Sequence, residues 1–234
     1  MVQQDYTPQH MLASLRTRLM VMYAQVDIAL EETAHSYENG EIPRAVAVCD
    51  GDEAVDVLEN EIDDRCLQLM VRINPVACDL RFVVAALRMN VDLERIGDEA
   101  VTIAEQTILM EDVPEQRILQ AEVSDMMHRV QGTFKQAMDC FRESDAQKAM
   151  DLCDTEDEAM QNETRIVQRL LETLHWEEER RPDPRLVMHT MLVIRSLTRI
   201  WRRSVNLAEQ VYFMERGQSL KHNAIKKINC YISS

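Results

Sequence analysis

Apolar residues recur every three or four positions along most of the chain, which is the spacing of one buried face of an α-helix. The first such run begins at Met11 and stops at a turn that contains Gly40. Later runs are separated by short segments that contain Pro or Gly. The pattern predicts six helices, at about residues 11–40, 43–73, 75–110, 119–143, 146–180 and 184–216.

Three sites in the sequence have the residue types that start or end helices. Asn74 precedes Pro75, and Asp183 precedes Pro184, so each pair is predicted to supply the N-cap and first position of the helix that follows. Gly217 follows the last apolar run and is predicted to be its C-cap.

The second half of the chain repeats the first half at a constant offset of 104 residues. Identical residues at this offset are densest in the third and sixth predicted helices, where they include Leu93 and Leu197, Arg95 and Arg199. A period of this length indicates two folding units rather than the short units of a solenoid. The predicted fold is all-α, with two tandem three-helix bundles of long antiparallel helices packed side by side. They are predicted at residues 8–110 and 114–216, followed by a polar tail at 217–234.

Composition supports the all-α prediction and limits the function. The chain has 5 Gly, 6 Pro and 5% aromatic residues, fewer than strands and their turns require. Its formal net charge of −15 disfavours binding to nucleic acids. No signal peptide or apolar run long enough to cross a bilayer is present, and the cysteines occur singly, so a cytoplasmic location is expected.

Two lines of carboxylates interrupt the apolar pattern in the first half. On the third helix, an apolar face through Leu80 and Val91 continues as acids at the same spacing. Aspartates and glutamates also recur at helical spacing on the second helix. The acids are Glu94, Asp98 and Glu105 on the third helix and Asp52, Asp56, Glu59 and Asp63 on the second. Such lines on neighbouring helices would face and repel each other, so they predict a bound metal cation. The alternative is a solvated acidic face.

The second half lacks these carboxylates at the equivalent positions. At the offset of 104 residues, Thr198 and Arg202 replace Glu94 and Asp98, and Met160 and Val167 replace Asp56 and Asp63. Loss on two helices at once is not expected of independent surface drift. The sequence therefore predicts a metal site in the first half and none in the second.

Arginines occupy the corresponding face of the sixth helix. They are Arg195, Arg199, Arg202 and Arg203, and they surround Trp201. One interpretation is a site for an anion such as phosphate. The other is that the arginines pair with Glu156, Asp157, Glu163 or a partner surface, and the sequence leaves both open.

One segment resembles the signature of the PhoU family, which comprises accessory regulators of the high-affinity phosphate ABC transporter. It is INPVACDLRFVVAALRMNVDLERIGDEAVTIAE, residues 73–105. The tandem repeat and the first helix's LRTRLMVMYAQVDIAL extend the likeness over most of the chain. The family's carboxylate-x-x-x-Asp motif, which resembles a metal-binding motif, corresponds to Glu94 and Asp98. Its second copy, at residues 198–202, is degenerate.

The resemblance implies a cytoplasmic regulator that restrains phosphate uptake and helps to switch off the phosphate-starvation response. It would be a homodimer, peripheral to the membrane only through its partners, which would be the transporter's ATPase subunit and a sensor histidine kinase. It implies metal ions on the carboxylates, iron first, with Mn, Mg and Zn as alternatives. No enzymatic activity is expected.

Two rival interpretations remain. Glu-x-x-His, the spacing of ligands in di-iron carboxylate enzymes, occurs at Glu32/His35 and Glu172/His175. Both lie near predicted helix ends and neither aligns with the acidic lines. The other rival is a metal-free helical adaptor whose acids meet basic surfaces of its partners.

Overall fold

The computed structural model describes residues 7–112 and 117–220, and every regular element in these ranges is helical. The described chain contains eight α-helices: α1 Pro8–Asn39, α2 Ile42–Gly51, α3 Glu53–Ile73, α4 Ala77–Leu109, α5 Gln120–Glu143, α6 Ala146–Cys153, α7 Glu156–Glu172 and α8 Pro184–Arg216. Two single turns of 3₁₀-helix, Thr173–His175 and Glu178–Arg180, lie between α7 and α8.

The six predicted helices become eight because the middle helix of each repeat is interrupted. In the first repeat the break is at Asp52, between α2 and α3, where the backbone stays near helical values with φ −62° and ψ −37°. Gly51 and Asp52 are both weak helix formers, which favours a defect at this point. In the second repeat α6 ends at Cys153, and the Thr155 hydroxyl donates to the carbonyl of Leu152 at 2.8 Å. This local bond competes with the helical backbone pattern.

Two predicted helix ends are wrong. Asn74 is the C-cap of α3 with φ 49°, and α4 begins only at Ala77. The reason is that a residue before proline avoids helical backbone angles, and asparagine tolerates the left-handed conformation. The predicted helix at about residues 146–180 is helical only to Glu172, because the chain then forms 3₁₀ turns. There the buried Thr173 hydroxyl donates to the carbonyl of Leu170 at 2.7 Å.

The other two predicted ends are confirmed. The Asp183 side chain accepts a hydrogen bond from the backbone N–H of Arg185 at 2.8 Å, with Pro184 in the first turn of α8. Gly217 adopts the left-handed conformation with φ 69°, and its N–H donates to the carbonyl of Phe213. A side chain other than glycine would be strained at this backbone angle.

The helices form two three-helix bundles that pack side by side, as predicted, if each interrupted helix is counted as one. In the first, α1 and α4 pack with the broken helix α2/α3; in the second, α5 and α8 pack with α6/α7. The most extensive contact between bundles is the one between α4 and α8. These two helices are antiparallel: Asp92 pairs with Arg203, and buried Gln106 lies 2.8 Å from His189. One continuous apolar core runs through both bundles.

The outer apolar face predicted on the third helix is not covered. Leu80 and Val91 of α4 keep 42% and 41% of their surface exposed, whereas Met89, Leu93 and Ile96 on the inner face are fully buried. Between Leu80 and Val91, the residues Val84 and Leu87 are half-buried, and Leu87 packs against the core, so the outer face is exposed mainly at its two ends.

Some predictions concern parts of the chain beyond the described ranges. The break at Val113-Pro114, with the start of the second bundle at 114, lies outside them, and so does most of the predicted tail, residues 221–234 with Lys221, Lys226 and Lys227. None of the helices in the described ranges has an apolar run suited to crossing a bilayer.

Replacement of Gly97 by alanine tests the packing of α3 on α4. A Cβ at this buried position would lie 3.6 Å from Val55 and 3.9 Å from Asp52, which are ordinary contacts. Because alanine favours helix, Gly97→Ala is expected to raise the free energy of unfolding by about 0.5–1 kcal/mol in urea titrations. Gly132→Ala in α5, with open space around it, should show the helix effect alone. Destabilisation by Gly97→Ala only would show that α3 and α4 pack more closely than described.

Candidate functional site

A buried asparagine fixes how α3 and α4 lie against each other. The Asn90 side-chain amide donates to the backbone carbonyl of Glu59 and to the carboxylate of Asp63, both at 2.9 Å. At the other end of the contact, Gly97 has no side chain, and Asp52 Oδ1 lies 3.9 Å from the position its Cβ would take. The acidic line of α3 is therefore held beside α4 at both ends.

This arrangement brings six of the seven predicted metal ligands to one side of the first bundle. We call them the acidic cluster: Asp52, Asp56, Glu59, Asp63, Glu94 and Asp98. Glu59, Asp63 and Glu94 are half-buried, while Asp56 and Asp98 are exposed. Equal charges on two packed helices repel each other, and that repulsion is strongest where burial also removes water.

The electrostatics of Glu94 show how close these groups are. The pKa of Glu94 is raised to about 7, first by burial and then by the negative charges of Asp98 and Glu59. A hydrogen bond between Glu94 and Asp98 adds to the same effect, because only a protonated carboxyl can donate it. Glu94 and Asp98, one turn apart on α4, are thus close enough to interact, and Glu59 of α3 lies near both.

The carboxylates of α3 are affected by the same neighbours. Burial raises the pKa of Glu59, and so do the charges of Asp63, Asp56 and Asp98. Burial also raises the pKa of Asp52, again with contributions from Asp56 and Asp98. The charge of Asp98 on α4 therefore acts on two separate acids of α3, Asp52 and Glu59.

Glu105, the seventh predicted ligand, lies two turns further along α4. Its charge acts on Cys49 of α2, whose thiol pKa is raised first by burial and then by Glu105. It is not among the groups that shift the pKa values of Glu94, Glu59 or Asp52. The structure thus separates Glu105 from the acidic cluster.

The acidic cluster suits a metal cation by the chemistry of its donors, since carboxylate oxygens are ligands for Mg²⁺, Mn²⁺ and iron. As the side chains stand, no three His, Cys, Asp or Glu residues in the described ranges are arranged to hold a metal ion. Glu94 is instead hydrogen-bonded to Asp98. A coordination shell would need side-chain rotations, which exposed Asp56 and Asp98 have room to make.

The second repeat replaces this repulsion by an ion pair. Glu156 and Arg202 occupy the positions equivalent to Asp52 and Asp98, and Arg202 Nε lies 3.7 Å from Glu156 Oε1. Thr198, at the position of Glu94, is buried, and its hydroxyl donates to the backbone carbonyl of Ile194 at 3.1 Å. At these positions the second repeat is neutralised by its own side chains.

The arginine-rich face of α8 is engaged in ion pairs. Besides the bond to Glu156, Arg199 pairs with Glu99 at 3.1 Å, and Arg203 pairs with Asp92 at 3.0 Å. Glu156 is one of the partners considered from the sequence. Glu99 and Asp92 are not, because they lie on α4, and only the contact between the repeats brings them within reach. The ion-pair interpretation therefore accounts for three of the four arginines.

In the first Glu-x-x-His pair both residues contact other side chains, and in the second pair both are exposed. Glu32 pairs with Arg44 at 2.7 Å, and the ring of His35 lies 3.0 Å from the side-chain amide of Asn39. Glu172 ends α7 and His175 lies in a 3₁₀ turn, and both are exposed. In the described part of the chain, neither pair joins a group that could hold a metal.

Comparison with known proteins reproduces the internal repeat. The family model described as "PhoU domain" matches the chain twice, at residues 19–107 and 123–211. The second match begins and ends 104 residues after the first, which is the offset found by comparing the two halves directly.

Curated relatives and a solved structure match most of the chain. A "Phosphate-specific transport system accessory protein PhoU homolog" of Pseudomonas putida is 29% identical over 224 residues, covering 94% of this chain and 85% of the relative. A protein of the same name from Caulobacter vibrioides is 32% identical over 181 residues, 76% of each chain. The crystal structure of PhoU from Pseudomonas aeruginosa superposes with a TM-score of 0.86 at 26% identity, covering 91% of this chain and all of that one (100%).

The stability of the folded chain should depend on pH through Glu94. The pKa of Glu94 in the folded chain, about 7, is above its ordinary value of 4.5. Between these two pH values the folded state keeps a proton on Glu94 that the unfolded state loses. The stabilisation is complete below about pH 4.5 and is lost as pH rises through about 7. In chelator-treated protein, Glu94→Gln should flatten this fall in thermal midpoint. Glu53→Gln, at an exposed position of α3, should leave it intact. An unchanged fall in Glu94→Gln would contradict the assignment.

Proposed function

The chain belongs to the PhoU family, and from this membership we propose that it is an accessory protein of phosphate transport that restrains high-affinity phosphate uptake and phosphate-starvation signalling. The family model covers both repeats, and the curated relatives are named as accessory proteins of the phosphate-specific transport system. The high coverage of both chains in these matches supports a shared role for the whole protein.

In this proposal the chain acts as a cytoplasmic adaptor and not as an enzyme. It would contact the ATPase subunit of the phosphate ABC transporter and a phosphate-sensing histidine kinase, and it would work as a homodimer. Long helices with uncovered side faces offer contact surface for such partners, and the matched family is one of accessory proteins.

The proposal includes a metal ion at the acidic cluster. Glu94, Asp98 and Glu59 would be its nearest ligands, and Asp52, Asp56 and Asp63 would surround it on α3. When bound, the cation, with iron first and Mn, Mg or Zn as alternatives, supplies positive charge that cancels the repulsion between α3 and α4. Glu105 belongs to the same predicted donor line, although it lies beside Cys49.

One observation carries the metal proposal. The positions of Asp52 and Asp98 in the first repeat hold two like charges, whereas the equivalent Glu156 and Arg202 form an ion pair. In the described part of the chain, the second repeat thus has a countercharge within this pair and the first repeat has none, while the charge of Arg95 acts to lower the pKa values of the neighbouring Glu94 and Glu59. An external cation would supply the countercharge that the pair lacks, and the second repeat would stay without metal.

A metal-free adaptor is the second candidate. It is favoured by the side-chain arrangement in the described ranges, where no three potential ligands are set to hold a metal. In this case basic side chains of a partner would neutralise the acidic cluster. Metal content separates the two candidates.

Removal of the two carboxylates of α4 should remove the metal. The chain carrying Glu94→Ala and Asp98→Ala is expected to lose most of its bound iron or manganese. The metal content is measured by elemental analysis after the protein has been equilibrated with the metal and desalted. The matched control carries Glu53→Ala and Glu111→Ala, which removes the same charge from exposed positions and should keep the native content. Equal metal in both variants would reject the acidic cluster as the site.

Loss of the protein should raise the rate of phosphate uptake. In a strain that lacks the chain, uptake of labelled phosphate in phosphate-rich medium is expected to rise, and the native chain should restore the low rate. The transporter's ATPase subunit should co-purify with the native chain under the same conditions. Unaltered uptake together with no co-purification would remove the regulator proposal.

A further inference from the structure

An uncovered apolar stripe on α4 leads directly into the acidic cluster. Leu80 and Val91 are 42% and 41% exposed, and Val84 and Leu87 between them are half-buried. The spacing of this series is that of one helix face, and Glu94 and Asp98 continue it. The apolar and the acidic residues therefore form one uninterrupted surface along the helix.

The neighbouring helix α3 extends the same surface. The bond from Asn90 to Asp63 sets the register of the two antiparallel helices. Leu67, 57% exposed, lies one turn beyond Asp63, toward the α3–α4 turn near which Leu80 is placed. We call this surface the α3–α4 face; it consists of Leu67, Leu80, Val84, Leu87, Val91 and the acidic cluster. One half is apolar and the other is acidic.

We propose that the α3–α4 face is the docking surface for a basic amphipathic helix of a partner protein. The inference rests on the proposed adaptor function and gives it a place and a chemistry. From Leu80 to Asp98 the face is about 27 Å long at the rise of an α-helix, so about five turns of a partner helix would cover it. Apolar side chains of that helix would fill the half near Leu80, and its lysines or arginines would meet the acids.

Charge complementarity selects this occupant over the others. The chain has a net charge of −15, and the six carboxylates of the acidic cluster exceed the charge of one divalent cation, so the face attracts basic side chains even with a metal bound. A second copy related by a two-fold axis would place its own acids against these acids or against the apolar half, and neither arrangement neutralises them. An anionic membrane surface would be repelled by the same cluster.

The second repeat offers an internal comparison. Leu171 and Met188, at the positions of Leu67 and Val84, are 43% and 52% exposed, so an apolar surface is also present there. Its other end is not acidic: Arg202, at the position of Asp98, pairs with Glu156, and Arg195 stands where the first repeat has Val91. A basic helix should therefore bind the first repeat more tightly than the second.

A synthetic helix can test the proposal on the full chain. The probe is a fluorescent peptide of Ala, Leu and Lys, about 20 residues long, with leucines on one face of its first half and lysines on that face of its second half. It is titrated with the full chain as purified, and binding is followed by fluorescence anisotropy. The native chain should bind it at least about tenfold more tightly than the same peptide with Glu in place of Lys.

Matched variants locate the bound peptide. Leu80→Ser with Val91→Ser changes exposed side chains and should weaken binding about tenfold or more. Met188→Ser with Leu192→Ser changes equally exposed residues of the second repeat and should alter it less than about twofold. In hydrogen-exchange measurements the peptide should protect residues 63–71 and 77–98, and not 184–202.

Several results would overturn the proposal. They are no binding to the native chain, no preference for Lys over Glu, and equal weakening by both variant pairs. A native dimer that becomes monomeric in Leu80→Ser with Val91→Ser would assign the face to a second copy. Tighter peptide binding after removal of residues 221–234 would assign it to the chain's own C-terminal segment. None of these results would change the metal content or phosphate uptake, so they leave the proposed function to its own tests.

Discussion

The antiparallel contact between α4 and α8 is the constraint on which the rest of the molecule depends. These are the equivalent helices of the two repeats, and each supplies the inner wall of its own bundle. Their apolar residues, such as Leu93 and Ile200, enter one shared core, while Asp92 with Arg203 and Glu99 with Arg199 pair where the helices face each other. Burial supplies the main driving force, and the pairs add specificity of register.

This contact also determines which parts of α4 are left for function. One side of the helix faces the core and another faces α8, so the remaining stripe between α8 and α3 stays at the surface. Leu80 and Val91 lie on this stripe, and so do Glu94 and Asp98. The position of Asn90, bonded to α3 at the edge of the stripe, then brings the carboxylates of the two helices together. The acidic cluster is thus a consequence of how the repeat packs.

The two repeats show how the same scaffold can carry opposite electrostatics. Asp52 and Asp98 repel each other in the first repeat, whereas Glu156 and Arg202 attract each other in the second. Both arrangements leave the core unchanged because these side chains lie outside it. The sign change in this pair comes from the position of Asp98 alone, because Asp52 and Glu156 are both acidic. Thr198, Met160 and Val167 remove three further carboxylates from the second repeat, so the surface there no longer attracts cations or basic side chains.

The sequence by itself determined the helical class, the two repeats with their offset of 104 residues, the ends at Asp183 and Gly217, and the acidic lines. These features follow from local preferences and from helical periodicity, which neighbouring residues are sufficient to specify. Only the tertiary structure decided which helices meet. It separated Glu105 from the other acids, gave Arg199 and Arg203 their partners, and left the face of Leu80 and Val91 uncovered. These outcomes depend on interactions between residues far apart in the sequence, such as Cys49 with Glu105 and Asp92 with Arg203, and no local pattern specifies such interactions.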